Sequence, residues 1–266
     1  MLHAKNEVLT LGSTQMDYIS FGKGKDILIM LPGLGDGLTT VKGTAIPFAM
    51  SYKAYASKYK VYVFSRKNQL TEGYSTRDMA ADQAEAMSIL GISKAHVIGI
   101  SQGGMIAQHL AIDHPQLVKK LVLTVTLAKQ NDTIQKVVHR WIEMAERGKY
   151  KELMLDTAEK SYTENHFNRQ RWLLKIMSRV GKPKDFSRFL IQASSCIHHS
   201  AYDELGGVMC PTLVVGGSDD RVVGNHSSSE IADKIRGSKL LIYQDFGHAL
   251  YEEAKDYNSQ IMSFLA

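Results

Sequence analysis

The sequence predicts an α/β fold in which a mostly parallel sheet is covered by helices on both faces. Short apolar runs rich in Val, Ile and Leu recur along the chain, which is typical of strands buried on both sides. Helical patterns lie between most of these runs, and a strand–helix alternation is typical of parallel sheets. The chain has 266 residues, 44% of them hydrophobic, which suits one α/β domain with a sizeable core.

The elements follow one another in a regular order. The stretch "DYISFGKG" (17–24) alternates apolar and polar residues before a Gly-Lys-Gly turn, which indicates an antiparallel strand. Between two of the later strands, a helical pattern begins after Ser75, a capping residue, and stops at Gly91, a typical C-terminal glycine. The remaining strands are predicted at the apolar runs 26–31, 60–65, 95–100, 120–125, 212–216 and 239–244.

The alternation stops between about Leu127 and Tyr202, where amphipathic helical patterns replace the strand runs. We therefore expect a core domain made of residues 1–127 and 203–266, interrupted by a helical cap at 128–202. Aromatic residues of this insertion, such as Trp141 and Trp172, are expected to pack inside the cap.

The positive charge of the chain is concentrated in the same insertion. The formal net charge is +5, and residues 136–190 alone carry +6. Charges of both signs alternate there along helical patterns, which is typical of solvated helix faces and argues against a nucleic-acid partner. A cap that favours an anionic acyl group is the alternative interpretation of this surplus.

Several features of the sequence bear on cellular location and metal content. It has no run of 18 apolar residues and no basic-then-apolar start, so we expect neither a membrane partner nor a signal peptide. Its two cysteines, Cys196 and Cys210, suggest free thiols in a reducing compartment, and the cytoplasm is the expected location. The sequence has no cluster of closely spaced His and Cys residues, so a structural zinc site is not expected.

A candidate nucleophile stands in "HVIGISQGGMIAQHLA" (96–111), where an apolar strand turns directly into a helix. Ser101 occupies the apex of the turn, which would lift its hydroxyl clear of the carboxyl edge of the sheet. Strand and helix pass close together there, and Gly99 and Gly103 remove side chains that would collide. The alternative is a glycine-rich turn without function, but the flanking strand and helix favour a nucleophile.

A serine hydroxyl needs a base, and the base needs an orienting carboxylate. In strand–turn–helix sites of this kind the chain order is serine, acid, histidine. The segment "DFGHALYEE" follows the last strand and supplies His248, whereas His198 and His199 follow no strand and are expected to be polar residues at a helix end. The segment "VVGGSDDRVVG" follows the preceding strand and offers Asp219 and Asp220. Only one of them can face the histidine; the other would cap a helix or pair with the adjacent arginine.

Negative charge that develops on a substrate oxygen needs hydrogen-bond donors. One expected donor is the backbone amide of Gln102, the residue after the nucleophile. The other is expected from the glycine-rich loop "LPGLGDG" (31–37), with the amide of Leu34 as the candidate. A flexible glycine turn is the alternative interpretation of this loop.

Taken together, these segments resemble the α/β-hydrolase superfamily, in particular its small esterases and enol-lactonase-like enzymes with a helical cap. "HVIGISQGGMIAQHLAIDHPQLVKKLVL" resembles the nucleophile region, "CPTLVVGGSDDRVV" the acid-bearing segment and "GHALYEE" the histidine segment. The resemblance covers nearly the whole chain and implies an eight-stranded-type sheet with the cap between strands six and seven. In that family the acid usually stands three residues after the glycine; counting from Gly217 selects Asp220 over Asp219.

Two positions depart from the family pattern. The oxyanion loop usually begins His-Gly, where this chain has Pro32-Gly33, and the residue before the nucleophile is often His, where this chain has Ile100. Neither departure removes a catalytic group, but both weaken any transfer of substrate preference from the family.

The resemblance implies a serine hydrolase of carboxylic esters, lactones or thioesters (EC 3.1.1 class) that works through an acyl-enzyme. It needs neither cofactor nor metal, and its expected partner is a small ester-like molecule. A C–C bond hydrolase with the same three residues is the alternative within the family. A non-catalytic small-molecule receptor is the alternative outside it. The sequence leaves assembly as a homodimer open.

Overall fold

The computed structural model describes residues 2–177 and 181–266. Eight strands form a single sheet in the described chain: β1 (Lys5–Leu11), β2 (Thr14–Phe21), β3 (Asp26–Leu31), β4 (Tyr59–Lys67), β5 (Ala95–Ile100), β6 (Val118–Thr124), β7 (Thr212–Gly217) and β8 (Lys239–Tyr243). The α-helices are α1 (Ala45–Ser51), α2 (Thr76–Ile89), α3 (Gln102–Asp113), α4 (Asp132–Glu146), α5 (Tyr150–Ser161), α6 (Glu164–Met177), α7 (Ser187–Ile197), α8 (Ser227–Lys234), α9 (Leu250–Glu253) and α10 (Tyr257–Leu265).

The strands lie in the order β1-β2-β4-β3-β5-β6-β7-β8. β2 pairs antiparallel with β1 and β4, and every later pairing is parallel. The predicted α/β class is therefore confirmed. β1 was not predicted, because this edge strand has several exposed residues and lacks the apolar run of the central strands.

Alternate residues of the central strands support helices on both faces. In β3, Ile29 and Leu31 pack in the same core cluster as buried residues of α2, α3 and α8. Leu28 and Met30 point to the other cluster, with α1 and α10. Since the parallel strands all run in one direction, the loops after β3, β5, β7 and β8 meet at one edge of the sheet, where open α/β sheets bind ligands.

The helices α4–α7 are inserted between β6 and β7, which are neighbours in the sheet. The insertion leaves and returns at one point, because the carbonyl of Ala128 accepts from the amides of Ala201 (2.8 Å) and Tyr202 (3.1 Å). Trp141 is buried in a third apolar cluster, as predicted. Trp172 is 65% exposed on α6, so its predicted packing inside the cap is wrong.

Three further properties concern the described residues alone. None of the helices in residues 2–177 and 181–266 has the length and apolarity needed to cross a bilayer. In the same ranges, no cluster of three or more His, Cys, Asp or Glu side chains could hold a metal ion. Cys196 and Cys210 are both free thiols, and burial raises the pKa of Cys196 to about 12.

Candidate active site

Ser101 lies at the turn between β5 and α3, with φ of 55° and ψ of −119°. A positive φ is uncommon for a residue other than glycine and stores strain that its surroundings must hold. Two threonines stabilise this backbone conformation. The Ser101 amide donates to the Thr124 carbonyl (2.9 Å), and the Thr126 hydroxyl donates to the Ser101 carbonyl (2.8 Å). The serine is therefore fixed at the carboxyl edge of the sheet.

Gly99 and Gly103 allow two close backbone approaches around the serine. A Cβ on Gly99 would lie 2.5 Å from the Gly103 carbonyl oxygen, which is the predicted collision between strand and helix. A Cβ on Gly103 would instead overlap the carbonyl of Leu31 at the end of β3. The start of α3 is thus pressed against the loop 31–37, which we call the oxyanion loop.

His248 joins the serine to a carboxylate. Its Nε2 lies 2.9 Å from Ser101 Oγ, and its Nδ1 lies 2.8 Å from Asp220 Oδ2. An ionised carboxylate only accepts hydrogen bonds, so Nδ1 carries the proton and Nε2 presents its lone pair to the serine hydroxyl. The histidine is 7% exposed, which limits competition from water. The structure therefore brings together the three side chains that the sequence placed after three different strands.

The two adjacent aspartates have different surroundings. Asp220 is buried, and its second oxygen, Oδ1, accepts from the amides of Val222 (2.9 Å) and Val223 (3.0 Å). These bonds fix the carboxylate that faces the histidine. Asp219 is exposed and accepts from the Ser218 hydroxyl at 3.2 Å. The expectation that the second aspartate caps a helix or pairs with the adjacent arginine is wrong within the described residues.

The oxyanion loop lies against Ser101. A Cβ on Gly33 would be 3.3 Å from Ser101 Cβ and 3.8 Å from its Oγ. Leu34 opens a short 3-10 turn and Gln102 opens α3, so neither amide has an intrahelical acceptor. Across residues 2–177 and 181–266, no protein group accepts from either amide. Within the described residues, neither predicted donor is committed to a protein acceptor, and Leu34 also lines the cavity next to Ser101.

A cavity of about 460 Å³ opens over Ser101 and His248. Its wall is mostly apolar and comes from both the sheet edge and the helical insertion. Within the described part of the chain, no lysine or arginine lines it. The larger apolar side chains of the wall are Leu34, Leu38, Phe48, Trp141, Met154 and Phe189.

A buried ionic cluster beneath the oxyanion loop was not predicted from the sequence. The carboxylate of Asp36 accepts from the guanidinium of Arg188 at 2.5 Å and from the backbone amide of Arg66 at 3.1 Å. Burial lowers the pKa of Arg66 to about 10, against the opposing influence of Asp36. Arg66 therefore stays charged at neutral pH. Only packing identifies the members of this cluster, since isolated Arg and Asp residues carry no motif.

His198 and His199 directly follow α7, as expected of polar residues at a helix end, but His199 is buried, with 2% of its surface exposed. Its Nδ1 lies 2.8 Å from Thr76 Oγ1, and its Nε2 lies 3.3 Å from Gln108 Oε1. Burial, together with the neighbouring His109, lowers the pKa of His199 to about 3. Both ring nitrogens are engaged, and this histidine joins the segment after α7 to α2 and α3.

The chain is similar in sequence to known proteins. A family model described as alpha/beta hydrolase fold matches residues 26–255. The 2-hydroxy-6-oxononadienedioate/2-hydroxy-6-oxononatrienedioate hydrolase of Klebsiella pneumoniae is 27% identical over 262 residues, covering 92% of this chain and 88% of that protein.

Two solved structures show the same fold at low sequence identity. The enol-lactonase from Burkholderia xenovorans has a TM-score of 0.80 at 19% identity, covering 97% of this chain and 99% of that one. The esterase EaEST from Exiguobacterium antarcticum has a TM-score of 0.80 at 18% identity, covering 97% and 98%.

Proposed function

The chain belongs to the alpha/beta hydrolase fold family, and on that premise we propose that it is a serine hydrolase of small carboxylic esters, lactones or thioesters. Ser101 is the nucleophile, His248 the general base and Asp220 the orienting carboxylate. The amides of Leu34 and Gln102 are the oxyanion donors. The observation that carries the proposal is the pair of hydrogen bonds, 2.9 Å from Ser101 to His248 and 2.8 Å from His248 to Asp220.

In the acylation step, His248 Nε2 accepts the hydroxyl proton while Ser101 Oγ attacks the substrate carbonyl carbon. The electron pair of the carbonyl moves to its oxygen, and the two amides stabilise the resulting oxyanion. Asp220 stabilises the imidazolium and keeps its proton on Nδ1. The intermediate collapses, the leaving alcohol or thiol takes the proton from Nε2, and an ester to Ser101 remains.

Deacylation repeats these steps with water. His248 removes a proton from the water, whose oxygen attacks the acyl carbon, and the same two amides stabilise the second oxyanion. Collapse breaks the bond to Ser101 Oγ, which regains the proton from the histidine. The carboxylic acid leaves, and the enzyme returns to its starting state.

The substrate class follows from the cavity. About 460 Å³ with a mostly apolar wall suits an acyl group of small to medium size. A carboxylate placed in such a wall would lose its hydration without a cation to replace it. Since no lysine or arginine lines the described cavity, we assign a neutral acyl group.

A C–C bond hydrolase that uses the same residues is the second candidate. It is favoured by the name of the Klebsiella pneumoniae relative, which describes the hydrolysis of a dioate, a compound with two carboxylates. The cavity of this chain argues against a dianion, because Arg188 is already bound to Asp36. Comparing kcat/KM for a neutral ester with that for such a dioate separates the two candidates.

The test is a panel of p-nitrophenyl esters of increasing acyl length, with the hemisuccinate as the anionic member. Wild type is expected to release nitrophenol from the neutral esters with a burst, and to react with a fluorophosphonate. Ser101→Ala should lose both, with a fall in kcat of about 1000-fold or more. Ser259→Ala, on the exposed side of α10, is the matched control and should behave as wild type.

Two results would contradict the proposal. Retention of most of the activity by Ser101→Ala would rule out Ser101 as the nucleophile. Tight binding of small molecules by wild type, with neither turnover nor labelling, would identify a receptor on a hydrolase scaffold.

A further inference from the structure

One guanidinium group contacts both arms of the proposed oxyanion hole. Arg66, at the end of β4, is 1% exposed. Its Nη2 donates to the carbonyl of Pro32 at 2.5 Å and to the side-chain Oε1 of Gln102 at 3.0 Å. Pro32 belongs to the oxyanion loop, two residues before Leu34, and Gln102 carries the other amide. Arg66 therefore fixes the distance between the two segments that supply the oxyanion donors.

The helical insertion completes this arrangement through α7. The side-chain amide of Gln102 donates to the carbonyl of Gln192 (2.8 Å) and to Ser195 Oγ (3.2 Å). Arg188 binds the carboxylate of Asp36 in the oxyanion loop at 2.5 Å. Each arm of the oxyanion hole is thus held on one side by Arg66 and on the other by α7.

The cluster has a net positive charge in a place removed from water. Two guanidinium groups face one carboxylate, because Arg66 Nη1 lies 4.0 Å and Arg188 Nη2 lies 2.5 Å from the same Asp36 oxygen. Charges interact more strongly in the protein interior than in water. A cation behind the two amides therefore favours the state in which a substrate oxygen becomes negative.

The cluster is also costly for folding. Within the described residues, Asp36 Oδ1, Arg66 Nε and Nη1, and Gln192 Oε1 are buried without a hydrogen-bond partner. Buried polar atoms without partners destabilise a fold, and apolar replacements of buried ion pairs are often neutral or stabilising. A cluster that weakens the fold next to a reactive serine is better explained by its effect on the reaction than by stability.

We propose that Arg66 is a positioning residue, which sets the spacing of the Leu34 and Gln102 amides and places a positive charge behind them. The inference rests on the proposed ester hydrolysis. It assigns no contact between Arg66 and the substrate, since the guanidinium lies beneath the loop and does not line the cavity.

The test measures kcat, KM and the affinity for an aryl boronic acid, which adds to the serine as a tetrahedral anion. Arg66→Met should lower kcat by about 10- to 100-fold at nearly unchanged KM, and weaken boronate binding in proportion. Arg66→Lys should recover part of both losses because it restores the charge but not the two-armed geometry. Arg77→Met is the matched control: its guanidinium binds Asp113 and Glu204 at the surface.

A second variant tests the geometry without removing the cation. Gln102→Met keeps the backbone amide but loses the bonds to Arg66 and α7, and should lower kcat and boronate affinity by about 10-fold. Gln108→Met, a buried glutamine of the same helix that contacts Leu127 instead, is its control. This pair decides the question if Arg66→Met fails to fold.

The outcomes separate this inference from the proposed function. Unchanged kcat and boronate affinity in Arg66→Met and Gln102→Met, with an active wild type, would overturn the positioning role alone. A rise in KM as large as the loss of boronate affinity would also overturn it, because the two together indicate general damage to the cavity. A wild type with neither turnover nor fluorophosphonate labelling would overturn the proposed function and this inference with it.

Discussion

Two parts of the helical insertion contact two different loops of the site, and they do so with different chemistry. α7 meets the oxyanion loop through an ion pair between Arg188, whose side chain is 13% exposed, and the buried Asp36. The junction of α5 and α6 meets the histidine loop through neutral donors. There the Ser161 carbonyl accepts from the Ala249 amide at 2.8 Å, and the Tyr162 hydroxyl donates to the exposed carboxylate of Glu252 at 2.6 Å.

The difference shows where the molecule concentrates its strongest and most specific contacts. Charged hydrogen bonds away from water are strong and fix geometry, but removing one partner is expensive. Bonds at the surface exchange with water and contribute little net stability. Contacts of the first kind surround the proposed oxyanion donors, whose positions must match a developing charge. Beside His248, which is already fixed by Asp220, neutral backbone and hydroxyl donors suffice, although the carboxylate of Glu253 that accepts from Thr163 is itself only 6% exposed.

The largest effect is expected at that carboxylate. Asp220→Asn replaces an acceptor by a group that favours the wrong tautomer of His248, and should lower kcat by about 10,000-fold with little change in KM. Asp219→Asn, one residue away and exposed, is the matched control and should retain wild-type kcat. Steady-state kinetics on a neutral p-nitrophenyl ester measure both. Equal losses in the two variants would place the active carboxylate at neither position.

The next effect concerns stability on the α7 side. Asp36→Asn leaves the buried Arg66 and the partly buried Arg188 without their carboxylate, and should lower the free energy of unfolding by about 3–5 kcal/mol. Asp26→Asn removes the exposed partner of Lys119 and should cost less than about 1 kcal/mol. Urea unfolding followed by circular dichroism measures both. If Asp36→Asn lowered the unfolding free energy by less than about 1 kcal/mol, the α7 contacts would be no stronger than those at the α5–α6 junction.

A smaller, pH-dependent effect is expected at His199, which follows α7. Its folded pKa of about 3 lies below the ordinary value of 6.5, so the unfolded chain binds more protons between these values. Stability from this group is complete above pH 6.5 and falls as the pH decreases, by up to about 1.4 kcal/mol per pH unit. His199→Gln should therefore flatten the fall in unfolding free energy between pH 7 and pH 5.

His198→Gln is the control for that measurement, because His198 is exposed and, among the described residues, its side chain hydrogen-bonds only to Ser194 of its own helix. It should leave the pH dependence unchanged. An equal flattening by both variants would mean that the slope does not come from burial of His199.

The smallest effect is expected at the α5–α6 junction. Tyr162→Phe removes one hydrogen bond to the exposed Glu252 and should change the unfolding free energy by less than about 1 kcal/mol. Urea unfolding alongside Asp36→Asn provides the direct comparison. A loss as large as that of Asp36→Asn would show that the histidine side is held as strongly as the oxyanion side.

The sequence predicts those parts of the site that follow from chain direction. Ser101 and His248 each follow an apolar run, and the carboxyl ends of parallel strands meet at one edge, so their proximity could be expected. The choice of Asp220 over Asp219 needed a family resemblance, because spacing alone does not say which of two adjacent side chains turns inward. The fold class was predictable because apolar strand runs alternate with helical patterns, whereas the edge strand β1 lacks the pattern of a buried strand.

What the sequence does not reveal are contacts between distant residues and the coverage of helix faces. Arg66 meets Asp36 and Arg188, which lie 30 and 122 positions away, and none of them stands in a motif. Trp172 belongs to an apolar face whose periodicity is visible, but periodicity does not say whether another element covers it. His199 appears polar in sequence, and only packing against α2 and α3 makes it buried.

The junction at Ala128 bears on how such enzymes diversify. The 72 residues between Ala128 and Ala201 begin and end at a single carbonyl, so their length and sequence can vary without moving β6 or β7. Transplanting a foreign segment at this point is therefore a practical route to new specificities. Any graft must, however, bring its own equivalents of Arg188 and Gln192. Without them, the new insertion would cover the site but would not hold the oxyanion loop and Gln102 in position.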